Sequence, residues 1–74
     1  MKEGYIVWNE STVENEFFGV FKSPQAALRH LRKVVRNRYG KCPRGSYDDL
    51  LNWLVNVESG EDSLRITYFN INEG

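Results

Sequence analysis

The chain has 74 residues, with ten basic and ten acidic side chains that cancel to a formal charge of zero. At 41% hydrophobic and 14% aromatic residues it is too apolar for a disordered chain. No apolar run approaches the roughly 20 residues of a membrane span, so a membrane is not among the expected partners. Residues 1–74 are read as one small domain, which buries only about 60% of its unfolded surface. The lone Cys42 has no internal partner for a disulfide, which suits a reducing compartment. No apolar stretch follows Lys2, so no signal peptide is expected and the expected location is cytoplasmic.

The elements follow in chain order. Tyr5-Ile6-Val7-Trp8 is rich in β-branched and aromatic residues and predicts a strand. Residues 9–15 are polar and predict a hairpin loop, extended around Val13. Phe17 to Phe21 predicts a second strand, in which Gly19 signals a bulge or a close backbone approach. Ser23-Pro24 predicts a helix start, since Ser23 can cap and Pro24 loses nothing at the first helical position. Ala27, Leu28, Leu31, Val34 and Val35 then share one face at helical spacing. Gly40 ends this helix.

Residues 41–45 form a loop around Pro43 and Gly45. Ser46 with Asp49 three residues on reads as a capping box for a second helix. The apolar stripe of that helix is Tyr47, Leu50, Leu51, Leu54 and Val57, and Ser59-Gly60 is expected to stop it. Residues 64–71 alternate as a strand, with Leu64, Ile66 and Tyr68 on one face and Arg65, Thr67 and Phe69 on the other. The order β-β-α-α-β predicts an α+β fold, a small antiparallel three-stranded sheet with its helices packed on one face. The first strand is expected in the centre, in the order 2-1-3. Ile6 with Trp8 and Phe18 with Val20 are expected in the core. Tyr5, Phe17, Phe21, Trp53 and Phe69 are too many large rings for so thin a domain, so some should form an exposed apolar patch.

Little points to catalysis. His30 and Cys42 are single representatives of their types, with no third group to orient them as a nucleophilic pair, and no set of three or four residues has metal-ligand spacing. Asp48 and Asp49 are adjacent carboxylates, but helix capping explains them better than acid–base work. The six glycines are scattered and make no phosphate loop. Neither an enzyme, a cofactor nor a small-molecule substrate is expected.

The charge distribution is more informative than its total. Between Lys22 and Arg44 lie eight basic residues and no acid, flanked by segments of charge −3 and −5. Arg29, Lys33 and Arg36 fall opposite Leu31 on the helical wheel, with Arg32 on their flank and Lys41 and Arg44 extending the surface into the loop. Three readings stand side by side: a solvated face that pairs with the acidic second helix, a site for a protein with an acidic surface, or a site for nucleic acid using the helix 24–39 and loop 41–44. The expected function is a small protein-binding domain of adaptor or inhibitor type, with nucleic-acid binding as the alternative. The candidate contact residues are Arg29, Arg32, Lys33, Arg36, Lys41, Arg44 and Phe69. Phe69 represents the sheet, where a homodimer is the simplest use of exposed rings.

The segment Phe18-Gly19-Val20-Phe21-Lys22-Ser23-Pro24-Gln25-Ala26-Ala27, with Tyr5 to Trp8 before it, resembles the strand-to-helix junction of small uncharacterised bacterial and phage proteins, over about the first forty residues. That resemblance implies a phage or prophage origin and no particular activity. The junction is also similar to those of the plant-type AP2 DNA-binding domain and the arm-binding domain of phage integrases. Both place three strands before the helix and read DNA from the sheet. This chain has two strands there, without their Arg and Trp ladder.

Overall fold

The computed structural model describes residues 2–11, 14–58 and 62–71. The expected extension around Val13 and the helix stop at Ser59-Gly60 lie outside these residues. Strands β1 (Lys2–Asn9) and β2 (Glu16–Phe21) are followed by helices α1 (Pro24–Tyr39) and α2 (Tyr47–Val57) and by strand β3 (Leu64–Ile71). The three strands form an antiparallel sheet in the order β2-β1-β3. This is the expected α+β fold, with the expected strand order.

Local chemistry sets the helix ends. The Ser23 hydroxyl accepts the Ala26 N–H at 3.2 Å, and Pro24 opens α1. Gly40 closes it in the left-handed conformation at φ 79°, donating its N–H to the Arg36 carbonyl. The capping box of α2 is complete: Asp49 N–H donates to the Ser46 hydroxyl, and Ser46 N–H donates to the Asp49 carboxylate.

The core lies between the sheet and the two helices. Ala27, Leu31 and Val35 of α1, Leu50 and Leu54 of α2, Val7 of β1 and Leu64 of β3 are all buried. Tyr5, Phe18, Phe21, Trp53 and Ile66 pack partly buried around them.

Two core expectations are corrected here. Ile6 and Trp8 do not face the helices; Val7 and Asn9 do, both with no exposure. Period-2 alternation then puts Ile6 and Trp8 on the opposite face. Nor does Val20 join Phe18 in the core. Phe17 pairs with Trp8 and Gly19 with Val7, which leaves Phe18 as the extra residue of a bulge. The bulge changes the alternation, so that Phe18 and Phe21 both pack against the core while Phe17 and Val20 are exposed. Gly19 sits in the bulge at φ 150°, a conformation that favours glycine.

Helix α2 also closes one edge of the sheet. The Tyr47 hydroxyl accepts the Ile66 N–H at 2.8 Å and donates to the Ile66 carbonyl at 3.2 Å. A Glu58 carboxylate oxygen accepts the Leu64 N–H at 2.8 Å. These contacts satisfy outward-facing β3 groups that would otherwise template another strand.

Candidate functional site

Because both helices lie on one side, the other side of the sheet is uncovered. It carries Ile6 and Trp8 from β1, Phe17 and Val20 from β2, and Arg65, Thr67 and Phe69 from β3. Phe17 is 71% exposed and Val20 63%, values that place them at a surface and not in a core. The rings order one another. Trp8 stacks on Phe17 with centroids 5.8 Å apart and planes 12° apart. The Trp8 indole N–H donates to the Thr67 hydroxyl at 2.8 Å.

Phe69 lies across Gly4. A Cβ at Gly4 would sit 2.6 Å from two atoms of the Phe69 ring and 3.3 Å from a Val20 methyl. The missing side chain is therefore what allows Phe69 to reach over the central strand towards β2. Arg65 closes one end of the face through an ion pair with Glu10 at 2.7 Å. The result is one preorganised apolar surface with a polar rim, the anatomy of a docking surface.

The opposite side of the molecule is cationic. Arg29, Lys33 and Arg36 are exposed on α1, away from its buried Ala27, Leu31 and Val35. A shallow groove is lined by Gln25, Leu28, Arg29, Arg32, Lys33 and Arg36. Arg32 is half-buried and bends to the loop, where its guanidinium donates to the Gly45 carbonyl. That bond ties the loop carrying the exposed Lys41 and Arg44 to α1. The expected pairing of this face with the acidic second helix is not found. Among the described residues, the ion pairs are Arg38–Glu16, Arg38–Asp62 and Arg65–Glu10.

Arg38 belongs to a polar cluster at the end of the sheet. The Asn9 amide, fully buried, donates to Glu16 at 3.1 Å and to Asp62 at 2.9 Å, and its oxygen accepts the Ser63 N–H at 2.7 Å. Arg38 reaches the same two carboxylates, at 2.8 Å and 3.7 Å. Its hydrogen bond, aided by that of Asn9, holds the Glu16 carboxyl below its ordinary pKa, and Glu16 in turn raises that of Arg38. Burial pushes Glu58 up, against the opposing pull of the Leu64 N–H. These groups join β1, β2, α1 and the start of β3, and their hydrogen bonds are satisfied within the fold.

The seven candidate contact residues thus divide. Arg29, Arg32, Lys33, Arg36, Lys41 and Arg44 stand together on the helix side, and Phe69 stands alone on the sheet side. Sequence reasoning named Phe17 among the rings for an exposed patch but missed Ile6, Trp8 and Val20, which it placed in the core. The sequence carried no usable signal for this, because Asn9 faces inward only through its distant partners Asp62 and Ser63. His30 and Cys42 have separate packing roles. His30 tilts against Phe21 with centroids 5.0 Å apart, and the Cys42 thiol donates to the Pro43 carbonyl at 3.5 Å. Among the described residues, no group of three or more His, Cys, Asp or Glu could hold a metal ion. No helix among them is long and apolar enough to cross a membrane. Comparison with protein-family models, with curated proteins and with solved structures finds no match for this chain.

Proposed function

We propose that this chain is a non-catalytic protein-binding domain, of adaptor or inhibitor type, which docks through the uncovered face of its sheet. The observation that carries this reading is the ordered cluster of Trp8, Phe17, Val20 and Phe69 on a face that neither helix covers. Phe17 and Val20 are mostly exposed and Trp8 and Phe69 partly, so the patch is on the order of a few hundred Å². A patch of that size is what a monomer exposes at a functional surface. The occupant proposed is a second copy of the chain. Two such faces together fall below about 1,000 Å² of apolar area, which suits a weak dimer.

The test is sedimentation or light scattering over concentrations from about 1 μM to about 1 mM, the range of a weak dimer. The wild type should pass from monomer to dimer. Phe17→Ser combined with Phe69→Ser should remain monomeric and folded, since truncating interface anchors costs about 2 kcal/mol or more each. A wild type that stays monomeric throughout, or a double variant that dimerises as well as the wild type, contradicts the reading.

A further inference from the structure

The cationic side of the molecule is not used by the sheet-face interaction and supports a separate proposal. We infer that the outward face of α1, extended by the loop at 41–45, binds the phosphodiester backbone of nucleic acid. Arg29, Lys33 and Arg36 are spaced i, i+4 and i+7, a row about 10 Å long at 1.5 Å per residue. At about 3.4 Å of rise per phosphate, a row of this length matches three steps, or four successive phosphates, of one strand. The Arg32 bond to the Gly45 carbonyl ties the loop that carries the exposed Lys41 and Arg44 to α1. None of Arg29, Lys33, Arg36, Lys41 and Arg44 has an ion-pair partner among the described residues. Arginine also offers phosphate a planar, two-pronged set of donors.

Three of the ten acids are paired with basic side chains outside this surface. Glu16 and Asp62 bond to Arg38 and Asn9, and Glu10 to Arg65. Asp48 and Asp49, exposed in the first turn of α2, follow the loop directly, and the Asp49 carboxylate approaches Gly45, so they offset two positive charges. With Arg32, which lines the same groove, six cations less two acids leave a net count of about four, close to the number of phosphates the surface can neutralise.

The choice of nucleic acid over an acidic protein rests on what the row lacks. Protein interfaces draw their affinity from a buried apolar or aromatic centre. In the groove along α1 only Leu28 is apolar, and it is already packed against the core. Phosphate backbones need no such centre, because released counterions supply the affinity. Without bases in contact, the binding is non-specific in sequence.

Fluorescence anisotropy with a random 20-base-pair duplex and the full chain tests the proposal. Four neutralised phosphates predict a slope of about −3.6 in log K against log salt, or about 150-fold weaker binding between 50 and 200 mM salt. The variant carrying Arg29→Gln, Lys33→Gln and Arg36→Gln should reduce the slope to about −1, because each lost contact removes about 0.9. Lys41→Gln with Arg44→Gln should reduce it by about 2 if the loop is held in the row. Asn52→Ser, exposed on α2 and outside both surfaces, should leave binding unchanged. Circular dichroism confirms that each variant is folded. Absence of binding at 50 mM salt overturns the proposal, as does binding unaffected by the triple variant. Binding to a poly-glutamate peptide but not to the duplex overturns it in favour of an acidic protein.

Discussion

Asn9→Asp should destabilise the fold by about 3 kcal/mol or more at neutral pH, the cost of an uncompensated buried charge. Domains of this size are stable by only about 0.05–0.15 kcal/mol per residue, so that loss is a large share of the total. The reason is local. The Asn9 amide donates to both Glu16 and Asp62 in a fully buried position. An aspartate has no proton to donate there and sets a third carboxylate against two. Arg38 cannot offset it, because it is already bonded to those two carboxylates. The substitution is nearly isosteric, so packing is not the cause. Like charges raise the pKa of the new carboxyl in the folded state, so its penalty is full above that raised value and fades as pH falls through it. Denaturant melts of wild type and variant should therefore converge on acidification. A constant gap from neutral to acid pH would contradict the charge argument. Asn9→Leu separates the two effects: it leaves the Ser63 N–H without its partner but adds no charge. Its cost should be about 1–3 kcal/mol with no comparable pH dependence.

Leu31→Ala should cost about 2–5 kcal/mol, the range for deleting a large buried aliphatic side chain. Leu31 is fully buried, central in α1 between Ala27 and Val35, and belongs to the cluster that includes Val7 of β1 and Leu54 of α2. A domain with one layer of helices on one sheet has no second core to absorb the cavity. Val20→Ser is the matched control. Val20 is 63% exposed on the uncovered face, so its loss should stay under about 1 kcal/mol. Thermal melts of the two variants show which side of the sheet is the core. Similar losses in both would place Val20 in a core and contradict the fold described.

The parts of this fold that were legible in the sequence are those with a local chemical signature. Ser23 with Pro24, Gly40, and Ser46 with Asp49 mark helix ends because capping needs only neighbouring residues. β3 was legible because its apolar and polar residues alternate strictly from Leu64 to Tyr68. β1 was not, because Tyr5, Ile6, Val7 and Trp8 are all apolar and either parity buries hydrophobic side chains. Asn9 settles it, since its partners Asp62 and Ser63 are more than fifty residues away in sequence. In β2, Gly19 signalled a bulge but not its direction, and the direction decides that Phe18 turns in while Val20 turns out.

The cationic row was legible as charge and helical spacing. Its tether was not, because Arg32 bonds to a loop carbonyl, and a carbonyl has no sequence signature. The same limit applies to Phe69. Its face followed from alternation, but its reach over Gly4 depends on strand register.

Trp8 reports directly on the proposed docking face. In a Trp53→Phe variant it is the sole tryptophan, and acrylamide quenching measures its access to solvent. If the uncovered sheet face is the docking surface, quenching of Trp8 should fall as the protein concentration passes through the dimer range, in step with the mass from light scattering. A dimer that forms while Trp8 stays equally quenched, or quenching and mass that stay constant at every concentration, would contradict the account.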